Sequence, residues 1–301
     1  MKRVLITGAA GFIGSKLAEK LKGDDNNIIF LCDKILGNNS NCCEVDLTNI
    51  IETREYIHCI KPDIIFHCAG NANVQSSIAH PQQDFNSNVV TINNLLLSLL
   101  EEKMSNVKVV FLSSAAVYGN PNILPMGENE KLNPLSPYAL DKMICENILY
   151  YYSKNHGFKV KIARIFSCYG EGLKKQILWD MFTKFKKTGE LRMFGTGQES
   201  RDYIHVDDVT NCLILLSKDD SNEIIYNICN NEETKITTIV NMFAETMNIN
   251  KSLISFSELT RNGEPINWCG SNQKIVKLGY KKTVELQDGI SRYCKWLRTV
   301  E

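Results

Sequence analysis

Seven prolines in 301 residues, no excess of either charge and no pair of cysteines spaced as CxxC narrow the chain before any motif is read. With so little proline and no low-complexity tract, a disordered or linker-like polymer is excluded. Acidic and basic residues balance at 34 each, so no overall field recruits nucleic acid or an anionic membrane surface, and any anion must be held locally. The run Val4-Leu5-Ile6 is too short for a signal-peptide core and leads into glycines, which predicts a cytoplasmic protein. Eleven cysteines at irregular spacings, among them the adjacent Cys42-Cys43, fit neither a secreted disulfide framework nor a zinc site and read as reduced, mostly buried thiols. The histidines are scattered, with His67 at a strand end and His205 in a loop, so no metal is expected. There is no internal repeat.

What is present is an ordinary globular composition, 44% hydrophobic and 23% charged, long enough for one large α/β domain or for a larger domain carrying a smaller one. Short β-rich apolar runs alternate with amphipathic stretches: strand 3–7, helix 13–21, strand 28–32, helix 50–60, strand 64–68. Runs such as Ile64-Ile65-Phe66 and 107–112 are nearly continuous in apolar residues, as suits strands of a parallel sheet covered on both faces. Helices are predicted over 85–103 and 137–155, and a strand over 159–165 completes this sheet. Glycines at 170, 172, 189, 195 and 197 then break the rhythm, which resurfaces at 204–217 and 224–228. The expected division is one domain of 1–165 plus about 204–231 and a smaller lobe of about 166–203 plus 232–301.

Gly8, Gly11 and Gly14 follow a predicted strand and open a predicted helix, the context in which such a triplet binds a dinucleotide. They permit a tight turn, close approach of backbone N–H groups to a pyrophosphate, and a helix packed close to the sheet. About twenty residues on, Asp33 ends the next strand, where a carboxylate accepts bonds from the adenosine ribose. An acid there repels a 2′-phosphate and favours NAD, while Lys34 directly after it keeps NADP open. Asp46 reads either as a second contact, to the adenine, or as a helix N-cap, with Thr48 an equal candidate for the cap.

Tyr138 and Lys142 stand four apart, hence on one face of a helix. A phenol titrates near 10 and works as a general base only beside cations that lower it, which Lys142 can provide. Taken alone, YxxxK is common on helix surfaces. Upstream, Val109 to Leu112 deliver Ser113-Ser114 to the C-terminal edge of a buried strand, where open α/β sheets bind ligands; either serine can bond a substrate oxygen or cap the next turn.

In order and spacing, Gly8 to Gly14, Asp33, His67-Cys68-Ala69-Gly70, Asn88-Val89, Ser113 to Gly119, Tyr138 to Lys142, Arg201 to Asp208 and Leu278-Gly279-Tyr280 resemble the extended short-chain dehydrogenase/reductases, the NAD-dependent epimerase/dehydratase family, across nearly the whole chain. The resemblance implies a Rossmann-type doubly wound parallel sheet with a smaller C-terminal α/β substrate-binding lobe. It implies a triad of Ser114, Tyr138 and Lys142, and a dinucleotide lined by Phe12, Ile13, Asp46, Leu47, Cys68, Ala69, Gly70, Asn88 and Phe166. Arg201 and Arg261 match family arginines that hold the diphosphate of a nucleotide-diphosphate sugar, a role suited to guanidinium forks. For each arginine alone, a surface ion pair with Asp202 or Glu264 is the competing account. Family members pair helices matching 85–103 and 138–155 into a four-helix bundle, so a homodimer is implied, with Leu95-Leu96-Leu97, Leu99-Leu100 and Ile148-Leu149 as apolar candidates and burial within the monomer as the alternative.

Family dehydratases carry an acidic pair after the active-site serine or threonine, and decarboxylases an acid at the second of those positions; here both are alanine, Ala115 and Ala116. What remains is an NAD-dependent nucleotide-sugar epimerase working through a 4-keto intermediate, or an NAD(P)H-dependent reductase of a nucleotide-4-keto-6-deoxyhexose. Where the family commonly has Asn, this chain has Ser167 after Arg164-Ile165-Phe166, a shorter side chain at a substrate position.

Overall fold

The computed structural model describes residues 1–23, 25–36, 41–258 and 266–300. Its first strand, β1 (Lys2–Thr7), buries Val4, Leu5, Ile6 and Thr7 in succession, so neither face meets water, the condition of a central parallel strand. The glycine turn passes to α1 (Phe12–Leu21), and the alternation runs on through β2 (Asn27–Asp33), β3 (Cys42–Glu44), α2 (Ile50–Ile60) and β4 (Ile64–His67). Two short helices, α3 (Val74–Ala79) and α4 (Pro81–Phe85), precede a π-helical turn at Asn86–Val90 that leads into α5 (Thr91–Glu101). Then come β5 (Lys108–Ser114), α6 (Pro137–His156), β6 (Lys159–Ile165), β7 (Ser167–Tyr169), α7 (Gln176–Thr188), β8 (Leu191–Met193) and β9 (Ser200–His205). The chain closes with α8 (Val206–Lys218), β10 (Ile225–Ile228), β11 (Glu233–Lys235), α9 (Ile236–Met247), β12 (Ile254–Phe256), α10 (Gln273–Lys277) and α11 (Leu286–Leu297).

The main sheet has seven parallel strands in the order β10-β6-β5-β4-β1-β2-β3, the Rossmann-type arrangement. One face buries Leu17, Ala18 and Leu21 of α1 with Val209, Cys212, Leu213 and Leu216 of α8. The other buries Ile57 of α2, Leu95, Leu96 and Leu99 of α5, and Cys145 and Leu149 of α6. The strand order reverses between β1 and β4, where Thr7 pairs with His67, and this switch point opens a crevice at the strands' C-terminal ends. A separate apolar cluster joins Phe182 of α7, Phe243 of α9 and Tyr293 of α11.

The structure differs from the sequence reading in several places. β3, an edge strand of three residues with Cys43 and Glu44 exposed, is too short to show a period. The predicted helix over 85–103 is broken by the π turn, which carries polar Asn86, Ser87 and Asn88 and turns Asn88 inward. β6 does not complete the sheet, because β10 pairs along it from Ile162 to Ile165; the strand expected at the start of 204–217, β9, joins a three-stranded sheet with β7 and β11 instead. Leu95, Leu96, Leu99 and Leu149 are fully buried within the chain, so the apolar face left outward comprises Leu100, Leu140 and Tyr151 with the partly covered Leu97, Ile144 and Ile148. Beneath the β10 edge, Lys161 of β6 is buried and donates to Asp219 Oδ2 at 2.5 Å, which also takes the Tyr226 hydroxyl.

Candidate active site

The crevice begins at the glycine turn. Gly8 has φ +64, and a Cβ there would stand 2.5 Å from the amide nitrogen of Ala69, while a Cβ on Gly14 would drive into the carbonyl oxygen of Gly8. Gly11 caps α1 without any side-chain hydrogen bond, and the helix has no acid in its first turn. The first helical bond runs from Ser15 N to Gly11 O, so the amides of Phe12, Ile13 and Gly14 carry no helical partner. A helix start stripped of caps and acids, with the chain held close by β4, fits a pyrophosphate.

At the far end of β2, Asp33 Oδ2 accepts from the amide of Ala10 at 3.0 Å, tying the acid to the glycine turn. Lys34 is an ion-pair partner of Asp46 at 2.8 Å, and Asp46 Oδ1 accepts from both the amide and hydroxyl of Thr48. Against the upward push of burial, Lys34 and Thr48 hold the Asp46 carboxyl below the usual range. The cap of α2 is neither Asp46 nor Thr48 but Asn49, whose side chain accepts from the amide of Ile51 and donates to Glu52 at 2.8 Å. Leu47 is buried, and its carbonyl receives Asn94 Nδ2 at 3.0 Å. Cys68 and Ala69 line the turn out of β4, with the Ala69 amide on Thr7 Oγ1 and Gly70 against Asn88.

Helix α6 starts sharply because Ser136 accepts from the amide of Ala139 and Pro137 occupies the first turn; it stops at Gly157, φ +73. A second fix comes from Ser77 of α3, whose hydroxyl accepts from the amide of Tyr138 at 3.2 Å. Tyr138 and Lys142 thereby face the end of β5, both less than a tenth exposed. The two serines divide. Ser113 is buried and donates to Glu146 Oε1 at 2.5 Å, while Ser114 caps the 3₁₀ turn Ala115–Tyr118 and hydrogen-bonds the Tyr138 phenol. Burial pushes that phenol up to about 12, with the Ser114 bond working against the rise and Asp84 and Cys145 adding to it. Lys142 Nζ donates to the carbonyl of Leu112 at 3.0 Å and lies 4.8 Å over the Phe111 ring; burial lowers its pKa. His67 stacks on Phe111, bonds Thr7 through Nδ1, and burial with the Lys142 charge brings it down to about 3, so it is neutral. His67 Nε2 and Asn88 Oδ1 are buried without a partner, beside Lys142 and Gly70.

Two partners were not legible in the sequence. Asp84 of α4 and Asp141 of α6 are both buried, and Asn71 donates to Asp84 at 2.5 Å. They lie far apart in the chain; Asp84 belongs to no motif read in the sequence, and Asp141 sits inside the Tyr138-to-Lys142 motif as one of its unspecified positions.

Past β6, Ser167 pairs with Tyr203 through β7 and β9. The Phe166 ring is 4% exposed and packs among Tyr118, Trp268 and Gly270. Arg201 lies with its guanidinium 5.6 Å from the Trp268 ring and donates to the carbonyls of Ser200 and Ile266. Asp202 turns away from it to accept from the amides of Asn230, Glu232 and Gly270. Arg261 lies outside the described residues. Among the described residues no group of three His, Cys, Asp or Glu is placed to hold a metal ion, and no helix is long and apolar enough to cross a membrane.

Comparison with known proteins follows the same geometry. A "Putative UDP-glucose 4-epimerase" of Methanocaldococcus jannaschii is 30% identical over 306 residues, covering 98% of this chain and 98% of its own. The crystal structure of the UDP-glucose 4-epimerase of Thermotoga maritima with UDP-glucose superposes with a TM-score of 0.91 at 24% identity, over 99% of each chain. That of the Thermus thermophilus UDP-glucose 4-epimerase, a complex with NAD, gives 0.87 at 25% identity over 98% of this chain and 99% of that one. The NAD dependent epimerase/dehydratase family model matches residues 4–229, a stretch that takes in the glycine turn, the serine strand and the tyrosine helix alike. On that match and on the full-length relative, this chain belongs to the NAD dependent epimerase/dehydratase family.

Proposed function

We propose that the chain is an NAD-dependent epimerase of a nucleotide-diphosphate sugar, inverting configuration at C4 through a 4-keto sugar. The observation that carries this reading is the placement of Tyr138, bonded to Ser114 and one helical turn from Lys142, at the end of β5, where the next two residues are alanines and offer no acid for dehydration or decarboxylation. The UDP-glucose 4-epimerase names of the Methanocaldococcus, Thermotoga and Thermus proteins support it. So does the ion pair of Lys34 with Asp46, which draws toward an acid the cation next to Asp33 that would suit a 2′-phosphate.

Bound NAD supplies the hydride acceptor and a positive charge near the phenol. Ser114 orients the C4 hydroxyl toward Tyr138 Oη; Tyr138 takes the hydroxyl proton as the C4 hydrogen leaves with its electron pair, and C4–O becomes a carbonyl. Lys142, ammonium against the Leu112 carbonyl, stabilises the phenolate. After the keto sugar turns over, hydride enters the opposite face and Tyr138 returns its proton. Gly8, Gly11, Phe12, Ile13, Gly14, Asp33, Asp46, Leu47, Cys68, Ala69, Gly70, Asn88 and Phe166 belong to the cofactor side, Ser167, Arg201 and Arg261 to the substrate side. In this reading the dinucleotide domain comprises 1–165 with about 204–231, and the remainder forms the substrate lobe; the separate apolar cluster of α7, α9 and α11 supports that division. The enzyme is a homodimer of the cytoplasm, whose reducing conditions suit eleven free thiols, Cys43 and Cys59 exposed among them.

The test is to incubate purified protein, with no added cofactor, with UDP-, GDP-, CDP- and dTDP-hexoses and follow C4 configuration by NMR. Interconversion of a C4 pair is expected. Silence across the panel, followed by NADPH consumption on 4-keto sugars, would replace the epimerase by a reductase.

A further inference from the structure

Asp84 and Asp141 meet where α4 crosses α6. Both are almost sealed from water, at 1% and 4% exposure. Asn71 occupies Asp84 Oδ1 at 2.5 Å, while Asp84 Oδ2 and Asp141 Oδ2 are each buried with no donor. Two carboxylates cannot remain ionised together in such a place, because burial and mutual repulsion both disfavour the second charge. One proton placed between them removes one charge and supplies the missing donor. Asp141 stands between Tyr138 and Lys142 in sequence, and the Asp84 carbonyl receives Asn88 Nδ2, so the same seam carries the π turn that aims Asn88 at Gly70.

We propose that Asp84 and Asp141 are a proton-sharing carboxyl pair that acts as a positioning device for the Tyr138–Lys142 helix. Its titratable surroundings are few. From α6 itself come Tyr138, Lys142, Cys145 and Glu146; α3 (Val74–Ala79) and the π turn carry no ionisable side chain, and Cys68 lies beyond Lys142. Burial, then the hydrogen bond and charge of Asp84, raise the Asp141 carboxyl to about 7 against the pull of Lys142, a value that belongs to the pair. Below it the pair carries one negative charge, and above it two. The second charge raises the Tyr138 phenol further and so opposes proton abstraction.

Asp141→Asn makes the shared donor permanent, and Asp84→Asn does so from the other side. Thermal denaturation of the full chain is read from pH 5 to 9. Unfolded, the carboxyls titrate near 4, so the wild type loses stability as pH rises from there to about 7, where its folded state still holds the proton. The Asn variants lack that loss, and their Tm relative to wild type rises by a few degrees between pH 5 and 8. Parallel Tm curves would overturn the pair. The kinetic arm rests on the epimerase reading: kcat of the wild type steps down near pH 7, and the step is absent in Asp141→Asn. A step that persists in both variants would overturn the positioning role. Tm curves that diverge as expected in a protein without turnover on any nucleotide sugar would instead overturn the epimerase reading and leave the pair standing.

Discussion

Tyr138 illustrates how far a single side chain is set by its surroundings. Its phenol, pushed up to about 12 by burial, is protonated at neutral pH in the unliganded protein, so it becomes a base only when positive charge is brought to it. Tyr138→Phe removes the proton-transfer atom and keeps the ring. Turnover is expected to fall by about 10²- to 10⁴-fold with NAD affinity within a few fold of wild type, checked by steady-state rates beside calorimetric NAD titration. Near-normal turnover would end the role given to this residue. At this scale the sequence was informative where spacing is chemistry: the glycines, Asp33, Tyr138 and Lys142 could be named because each has a geometric job at a fixed offset. It was silent where neighbours come from distant segments. Ser113 and Ser114 look alike in a string of letters, and only the arrival of Glu146 beside the first and Tyr138 beside the second separates them.

Among the elements, α6 carries the most consequence, and its phase is held by a buried ion pair. Glu146 takes Arg164 of β6 in a bidentate bond at 2.6 to 3.2 Å together with the Ser113 hydroxyl, and Arg164 goes on to the Tyr118 hydroxyl at 2.9 Å, which donates to Asn227. Removing one partner strands a charge in the core. Glu146→Leu and Arg164→Met are each expected to cost about 3–5 kcal/mol, and the double variant markedly less than their sum, by chemical denaturation of the four proteins. Additive losses would show that the two do not act together. The helix itself was legible over nearly its full length, expected over 137–155 and found at Pro137–His156. The helix over 85–103 was legible only in part, because a π turn changes the period by one residue and nothing in local propensity announces it.

For the whole molecule, the proposed dimer has a definite surface. Leu95, Leu96 and Leu99 serve the core, whereas Leu140 at 43% and Tyr151 at 55% exposure stand on one stripe of α6 with Ile144 and Ile148 between them. Leu140→Glu combined with Ile148→Glu is expected to elute as a monomer in size-exclusion chromatography with light scattering; a dimer that survives both changes would place the interface elsewhere. Periodicity had shown that α5 and α6 are apolar, but an apolar position reads the same whether its own core or a second copy covers it.

The position of β10 in the sheet has a consequence for how the protein is made. Its pairing with β6 joins Ile165 to Ile228, and β10 begins 60 residues after β6 ends. A ribosome adding about 5–20 residues each second leaves the nascent sheet open along β6 for roughly 3–12 s. Until Asp219 is made, late in that interval, Lys161 has no carboxylate to neutralise it, and an unpaired lysine on an exposed strand discourages another chain from adding to it. The residue that later closes the fold therefore first protects it, as a guard on the unfinished edge during synthesis.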